Sequence, residues 1–427
     1  KIGDKVNTIG YRAFYGCTSL TEVVIPDNVT TFGVRSSVYD DGEQFRGCTS
    51  LVSVTIGAKV KSMGTSAFNG CSSLTNLTIK DGCTIIGSNC FASCTALTAV
   101  TIPNSVETIS LGAFYGCTKL KNIDIPKSVN TIGNEAFSGC TDLEKAVIGD
   151  GVTSIGQSAF NGCTKLGEVK LGDGLNTIGY RAFYGCTSLT EITIPDNVTT
   201  LQGYLSSNDG DQFRGCTGLT SVTIGAKVSS MGTASFKDCS NLTRVIIKNG
   251  CQAIGNTCFS GCDKIEAIYN YCTNVPTANS NSFANYNAKL YVTKESIEKY
   301  KEATPWNGFA AIDTVPYVSY MVDGAFTDDE QLFVINDTIV PLPTLEREGY
   351  TFYGWDDVPT TMPTDDVIAK GTFVINKYKL TYLLNDSQYK QYEVEYNSAI
   401  TPEANPAERE GYTFSGWSTI PAVMPAK

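Results

Sequence analysis

Sixteen cysteines are the side chains of this sequence with the greatest capacity for chemistry, because thiols form disulfides, bind metal ions and act as nucleophiles. The 427 residues contain no histidine. That count excludes Ser/His and Cys/His nucleophile pairs, a histidine general base and histidine metal ligands, and with them most familiar hydrolase mechanisms. The spacing of the cysteines therefore has to be read before a role is assigned to them.

Eleven of the cysteines recur at a fixed period, each behind a phenylalanine. The steps between them are 23 residues, apart from one of 31 and one of 30. A constant period of this length predicts a solenoid, in which a coil buries its apolar row only when the next coil covers it. The pairs are Phe14/Cys17, Phe45/Cys48, Phe68/Cys71, Phe91/Cys94, Phe114/Cys117, Phe137/Cys140, Phe160/Cys163, Phe183/Cys186, Phe213/Cys216, Phe236/Cys239 and Phe259/Cys262.

Each coil combines a short strand with turns. In a typical coil, Leu120, Ile123 and Ile125 predict a half-buried strand. Pro126 ends that strand because it has no backbone N–H to donate. A Val-x-x-Ile-Gly stretch then predicts a second side and the turn that leads to the next Ala-Phe pair.

A longer repeat is superimposed on the coils. Residues 7–71 and 176–239 are near copies that each carry one insertion, which accounts for the steps of 31 and 30. We infer that a seven-coil block has been duplicated. The first residues already follow the coil pattern, so we expect the chain to begin inside a repeat rather than with a secretory signal.

In the simplest interpretation, the eleven periodic cysteines occupy one inward position per coil and act as small buried hydrophobes. The other five are Cys83, Cys90, Cys251, Cys258 and Cys272. Cys83 and Cys90, and likewise Cys251 and Cys258, form a C-x6-C-x3-C spacing with the next periodic cysteine, and Cys272 is left over. This spacing lacks the C-x2-C pair of a zinc site, so no metal is expected. Disulfides among these five, a local Cys83–Cys90 bridge in particular, stay an open alternative.

The two insertions are acidic near their ends. The acids are Asp40, Asp41 and Glu43 in the first and Asp209 and Asp211 in the second. Such carboxylates could bind Ca²⁺, which prefers hard oxygen ligands. Their spacing does not match an EF-hand loop, and an Asp-Gly turn at the tip of a solvated loop is the simpler interpretation.

Outward positions of the predicted strands form a threonine-rich strip with charges toward its middle. Repeat proteins bind partners on extended surfaces of this kind, although threonine is also simply a good exposed strand former. No catalytic, cofactor-binding or metal-binding residue is predicted, so we expect no enzyme. The candidate partner-binding residues are Glu22, Asn122, Asp124, Lys145, Glu168, Lys170, Glu191, Arg244 and Tyr269 on the strip and Tyr39, Asp40, Asp41, Asp209 and Asp211 in the insertions.

After about residue 312 the 23-residue period ends and a different repeat begins. Residues 346–363 return at 408–425 with the sequence Gly-Tyr-Thr-Phe-x-Gly-Trp in both copies. Alternating strands open each copy and predict a small β-rich module. We expect Tyr350, Phe352 and Trp355 in its core.

The run Leu-x-x-Val/Ile-x-Ile-Pro-x-x-Val-x-x-Ile-Gly-x-x-Ala-Phe-x-Gly-Cys closely resembles the Treponema pallidum-type leucine-rich repeats of BspA-like surface proteins. Residues 288–309 look like the strand-plus-helix cap of such arrays. The Gly-Tyr-Thr-Phe-x-Gly-Trp stretch resembles the Listeria-Bacteroides repeat of internalin-type proteins, which implies a β-grasp-like fold and a role as a stalk. The expected domains are a leucine-rich repeat solenoid of short parallel strands (1–270), its C-terminal cap (271–312), a first β-rich module (313–376) and a second, truncated module (377–427).

The resemblance to BspA-like proteins implies adhesion: a non-catalytic bacterial surface protein that binds protein or glycan partners on host, matrix or other bacteria. The net charge of −11 argues against nucleic acid or an anionic membrane as the partner, and no apolar run is long enough to span a bilayer. We expect an extracellular monomer without cofactors, whose signal and anchor lie outside these residues. The alternatives are the targeting region of a larger secreted carbohydrate- or peptide-active enzyme, and a purely structural spacer.

Overall fold

The chain divides into two compact units, Lys1–Thr314 and Val315–Lys427. A computed structural model describes residues 2–33, 42–201 and 210–426. The predicted fold class, a repeat solenoid followed by β-rich modules, is confirmed. The first unit contains β1 (Thr8–Ile9), β2 (Glu22–Val24), β3 (Thr31–Phe32), β4 (Ser53–Ile56), β5 (Asn76–Ile79), β6 (Ile85–Ile86), β7 (Thr108–Ile109), β8 (Asn122–Ile125), β9 (Thr131–Ile132), β10 (Lys145–Ile148), β11 (Ser154–Ile155), β12 (Glu168–Lys170), β13 (Thr177–Ile178), β14 (Glu191–Thr193), β15 (Thr200–Leu201), β16 (Ser221–Ile224), β17 (Ser230–Met231), β18 (Arg244–Ile247), β19 (Ala253–Ile254), β20 (Ala267–Asn270), β21 (Lys289–Val292), α1 (Ile297–Glu302), a 3₁₀ turn (Trp306–Gly308) and β22 (Ala311–Thr314).

Parallel sheets form two sides of the solenoid. The longer strands make one side, as the sheets β2–β4–β5, β8–β10–β12 and β14–β16–β18–β20–β21–β22, and the two-residue strands make the second side. Neighbouring strands pair one coil apart, with Asn122 beside Lys145 and Lys145 beside Glu168. This register follows from the 23-residue period, because equivalent positions of successive coils lie side by side.

The third side of each coil is a turn rather than a strand. Its backbone enters the left-handed region twice, at the residue two before the phenylalanine and at the residue two after it, as at Glu135 (φ 55°) and Gly139 (φ 73°). The N–H of Phe137 donates to the carbonyl of Ala159 and the N–H of Gly139 to that of Asn161, both at 2.8 Å. Successive coils are therefore hydrogen-bonded on this side as well.

A ladder of phenylalanine rings runs through the core. The rings from Phe14 to Phe283 stack pairwise with centroids 4.9–5.5 Å apart and interplanar angles of 2–14°. Phe137 and its neighbours in the ladder are fully buried. Stacked aromatic pairs contribute about 0.5–1.5 kcal/mol each beyond their buried area, so the ladder favours one register of coil on coil.

The periodic cysteines form a second ladder beside the rings. From Cys48 to Cys262, each thiol donates to the carbonyl oxygen of the phenylalanine one coil earlier, with S···O distances of 3.1–3.4 Å. All sixteen cysteines are unbridged, and Cys17 alone is exposed. Burial raises the pKa of Cys71 and Cys140 from the ordinary 9.0 to about 12. These thiols stay neutral and serve packing rather than chemistry.

Aromatic side chains close the C-terminal end of the ladder. Phe283, its last ring, meets Trp306 and Phe309 edge-on at 5.4 and 5.2 Å. Trp306 donates from Nε1 to the carbonyl of Pro276 at 2.7 Å, and Tyr300 donates to the carbonyl of Cys272 at 3.1 Å. The strands β21 and β22 extend the parallel sheet past the last periodic cysteine, to Thr314.

The second unit is built from strands alone, with no helix between residues 315 and 426. The strands are β23 (Tyr317–Val322), β24 (Ala325–Leu332), β25 (Tyr350–Asp356), β26 (Val367–Ile375), β27 (Lys377–Leu384) and β28 (Ser387–Glu395). One sheet has the order β24–β23–β26–β25, and β27 and β28 form a hairpin.

One aromatic contact recurs in both copies of the C-terminal repeat. Trp355 packs edge-on against Tyr320 with ring centroids 4.7 Å apart, and Trp417 packs in the same way against Tyr382 at 4.8 Å. Phe352 also contacts Trp355, at 5.0 Å. The repeated sequence therefore produces a repeated aromatic contact.

Replacing Phe137 by alanine is expected to cost about 3–5 kcal/mol of unfolding free energy, because it removes one ring from the ladder and leaves a cavity. Urea unfolding followed by circular dichroism measures the change. Tyr115→Ala is the matched control, since Tyr115 is 45% exposed on a neighbouring turn. Equal losses for the two variants would contradict a structural role for the ladder.

Native and unfolded alkylation should differ sharply. At pH 8, iodoacetamide should add one group per folded molecule, at Cys17, because burial keeps the other thiols both inaccessible and neutral. In guanidinium chloride without reductant, mass spectrometry should find sixteen added groups. A smaller number would reveal a disulfide, and rapid native modification of several cysteines would contradict the buried ladder.

Candidate functional site

Five of the predicted partner-binding residues lie together on the sheet β8–β10–β12, which we call the central charged sheet. Asn122 and Asp124 project from β8, Lys145 from β10, and Glu168 and Lys170 from β12. Lys145 is partly exposed and the other four are exposed. They share a face because side chains two apart on a strand point the same way and the strands pair in register.

The charges of this sheet alternate in sign. The Nζ of Lys145 lies 2.6 Å from the Oε1 of Glu168, with 44% and 62% of the two side chains exposed. Asp124 and Lys170 flank Val147, one on each side. An exposed ion pair contributes only about 0–1 kcal/mol to stability. Lys145 and Glu168 can therefore separate at little cost, and each can pair with an opposite charge of a partner.

Three other predicted residues lie on the other two sheets of the longer strands, and we call this side of the solenoid the strand side. Glu22 projects from β2, Glu191 from β14 and Arg244 from β18. Arg244 donates from Nε to the Oγ of Ser221, its neighbour one coil earlier, at 3.2 Å. These residues extend the strip of polar groups but do not join the central charged sheet.

Tyr269 differs from the expectation of an exposed aromatic. Its side chain is only 4% exposed. The ring stacks on Tyr291 of β21, with centroids 4.8 Å apart and an interplanar angle of 9°. The added strand β21 explains the burial, so Tyr269 is unavailable to a partner.

The insertion acids that the structure describes, Glu43 and Asp211, also differ from the expectation of solvated loop tips. Tyr39, Asp40, Asp41 and Asp209 lie outside the described residues. Asp211 is only 5% exposed and its carboxylate is 3.1 Å from the Nη2 of Arg181. The carboxylate is therefore already paired, and Asp211 belongs to the base of its insertion.

Glu43 occupies the equivalent place in the first copy. Burial raises its pKa, but hydrogen bonds from Arg12 and Arg46 outweigh that effect and lower the pKa below the ordinary value. Two guanidinium groups thus occupy the carboxylate oxygens that a Ca²⁺ site would need. Within the described ranges, no group of three potential metal ligands is found.

Tyrosines hold the arginines at the base of each insertion. The guanidinium of Arg12 lies 5.0 Å from the ring centroid of Tyr11 and 4.6 Å from that of Tyr15. Arg181 is held in the same way by two tyrosines of the second copy. The sequence contained a signal for this cluster, since the Tyr-Arg pair and the acid recur at nearly equal spacing in both copies.

The sequence pattern does not predict one feature of the strand side. Residues 99–102 form no strand, although Ala-Val-Thr-Ile-Pro fits the strand pattern of the other coils. A cavity of about 310 Å³ lies between this segment and Asn122, Asp124, Ile125 and Pro126. The central charged sheet is therefore bordered by an opening.

Two family models match the chain. The BspA type leucine rich repeat region matches residues 1–94, 41–144, 84–210 and 209–304. The Listeria-Bacteroides repeat domain matches residues 317–367 and 378–423. Neither model describes an enzyme. No helix among the described residues has the length and apolar character needed to cross a membrane.

Two curated relatives are similar over part of their length. Internalin H of Listeria monocytogenes is 30% identical over 140 residues, which are 30% of this chain and 25% of internalin H. A protein of Evansella cellulosilytica is 37% identical over 87 residues, which are 18% of this chain and 13% of that protein. The chain thus spans a quarter or less of each of these relatives.

Solved structures of leucine-rich repeat proteins are also similar to this chain. The T. pallidum leucine-rich repeat protein is 30% identical, with 39% of this chain and 78% of that chain covered and a TM-score of 0.36. A leucine-rich repeat protein from Bacteroides ovatus is 24% identical, with coverages of 68% and 92% and a TM-score of 0.38.

The matches to the first family model overlap and together extend over residues 1–304 of the 427. This chain belongs to the BspA-type leucine-rich repeat family and carries two Listeria-Bacteroides repeat domains.

Proposed function

We propose that this protein is a non-catalytic recognition protein of a bacterial cell surface, which binds a protein or glycan partner through its strand side. The observation that carries the proposal is the central charged sheet. Asp124, Lys145, Glu168 and Lys170 present both signs of charge on three adjacent strands. Complementary charges at such a surface give specificity and faster association.

The support beneath these charges is rigid. Ile123 and Ala146, the inward residues of β8 and β10, are 1% and 0% exposed. Phe114 and Phe137 of the same coils stack at 5.3 Å in the ring ladder. Side chains on a preorganised surface lose less freedom when they bind, so a larger share of the interaction energy appears as affinity.

The residue types of the chain favour binding over catalysis. The cysteines from Cys48 onward are buried, and Glu43 and Asp211 are paired with arginines. The likeness to internalin H over 140 residues and the two Listeria-Bacteroides repeats support a place outside the cell, with the C-terminal modules as the carrier of the solenoid. We expect the solenoid to act as a monomer without cofactors.

Reversing the two acids of the central charged sheet, Asp124→Lys with Glu168→Lys, should weaken partner binding at least tenfold, because it replaces attraction with like-charge repulsion. The partner is first selected by probing an array of extracellular-matrix proteins and glycans with the whole chain. Surface plasmon resonance then gives the Kd of each variant.

The matched control is Glu107→Lys with Glu135→Lys, which changes the net charge equally at exposed positions outside β8, β10 and β12. Equal weakening by the control would show a non-specific charge effect and refute the strand-side site. Silence of the whole array would refute the recognition function and favour the structural spacer.

A further inference from the structure

The strand side of the solenoid is interrupted at two places. Residues 99–102 pair with neither β5 nor β8, and β12 is not paired with β14. The central charged sheet lies between these interruptions, which we call the first and second openings.

The backbone confirms that the first opening is a gap in hydrogen bonding. Across the described residues, the N–H groups of Ala99, Val100, Thr101 and Ile102 donate to no backbone acceptor, whereas the N–H of Lys121 one coil later donates to Thr98. Backbone donors that lack an acceptor beside a cavity of about 310 Å³ are available to water or to a ligand.

Apolar side chains of the core are accessible at both openings. Leu77 and Val100 beside the first opening, and Val169 beside the second, are only partly buried. Their equivalents Ile123 and Val222 in paired strands are 1% and 0% exposed. The openings therefore give apolar groups a place to bury surface against the core.

The other sides of the same coils remain closed. Phe91 stacks on Phe68 at 5.4 Å and on Phe114 at 5.5 Å. The second-side strands β6, β7 and β9 form one continuous sheet. The coils remain in contact on their second and third sides. The first opening is therefore a cleft that can take a side chain, but it is too narrow for an added strand between the coils.

Charges at the rims favour a cationic group between the openings. Asp124 lines the first opening, and Glu168 and Glu191 belong to the strands on the two sides of the second. Lys145 and Lys170 are the cations of the central charged sheet, and Glu168 already neutralises Lys145. The acids Asp124, Glu168 and Glu191 therefore outnumber the lysines by one. A lysine or arginine of a partner would be attracted to Asp124 and Glu168.

The distance between the openings sets the spacing of a partner's side chains. Three strand separations of about 4.8 Å place the openings about 14 Å apart. An extended chain advances about 3.3 Å per residue, so this distance corresponds to about four residues. Residues four apart on an extended chain point to the same side, which lets both reach the solenoid.

We propose that the two openings are paired anchor sites for one extended segment of a partner protein that crosses the central charged sheet. The segment carries apolar side chains at positions i and i+4, one for each opening, and a lysine or arginine at i+2. This inference rests on the proposed function and narrows the partner from any protein or glycan to a peptide of this pattern.

Fluorescein-labelled peptides test the pattern with the whole chain, by fluorescence anisotropy. Gly-Ser-Phe-Ser-Lys-Ser-Phe-Ser-Gly, with its phenylalanines four apart, should bind at least tenfold more tightly than versions with a spacing of two or seven, or with glutamate in place of lysine. Equal binding at all spacings would overturn the proposal. Preference for the spacing of seven, which places both rings on one face of a helix, would replace it with a helical partner.

Variants of the chain locate the peptide. Ala99→Trp fills the first opening from an exposed position and Asp124→Lys reverses its rim charge, so both should weaken binding at least tenfold. Ser53→Trp, at the equivalent position two coils earlier, and Glu107→Lys, at an exposed position beside β7 on the second side, are the matched controls and should leave the Kd unchanged. Circular dichroism checks that each variant folds. Should Ala99→Trp misfold, Asp124→Lys alone decides, and its failure to weaken binding overturns the site.

The outcomes also distinguish failure of the paired anchor sites from failure of the proposed recognition function. An array ligand that binds the chain and loses affinity on reversal of Asp124 and Glu168, while no phenylalanine peptide binds, would overturn the paired anchors and leave the recognition function intact. A chain that binds neither the array nor the peptides would overturn both.

Discussion

The dependence of every coil on its neighbour is the physical constraint from which the rest of this structure follows. A 23-residue coil offers one thin apolar row, which becomes a core only when an identical row lies against it. Three kinds of contact join each coil to the next along the solenoid axis. They are the stacked phenylalanine rings, the hydrogen bonds from cysteine thiols to the preceding coil and the backbone hydrogen bonds on the third side. The constant register lets each of these contacts recur from coil to coil, and it produces a long surface of fixed geometry.

The residues with the greatest intrinsic reactivity serve this stacking. The thiol of Cys140 donates a hydrogen bond to the carbonyl oxygen of Phe114, and burial raises the pKa of this thiol to about 12. The carboxylates of Glu43 and Asp211 bind arginines and fix the bases of the insertions. The composition alone would suggest reactive roles for these thiols and carboxylates, but in the structure they serve packing and ion pairing. The residues left to face solvent, such as Asp124 and Lys170, are suited to binding rather than to bond making.

The period of the Phe-x-x-Cys pairs was sufficient to predict the solenoid, because stacking leaves equivalent positions little choice of environment. The openings could not be predicted in this way: Ala99–Val100–Thr101–Ile102 has the same pattern as Ser53–Val54–Thr55–Ile56, which is a strand. The burial of Tyr269 depends on Tyr291, which lies in β21, beyond the period. The pairing of Asp211 depends on Arg181, 30 residues earlier. For Tyr269 and Asp211, the residue that determines the environment of the side chain lies outside the same repeat unit.

A solenoid closed on its turn side and open at defined places on its strand side has a direct signature in native-state hydrogen exchange. The amides of Phe91 and Phe114, bonded to the carbonyls of Ala113 and Ala136 at 2.8 Å, should exchange slowly. Those of Val100 and Thr101, in the same stretch of chain, should exchange at least a hundredfold faster, because they have no backbone acceptor. Equal protection of the four amides would show a closed strand side and contradict the openings.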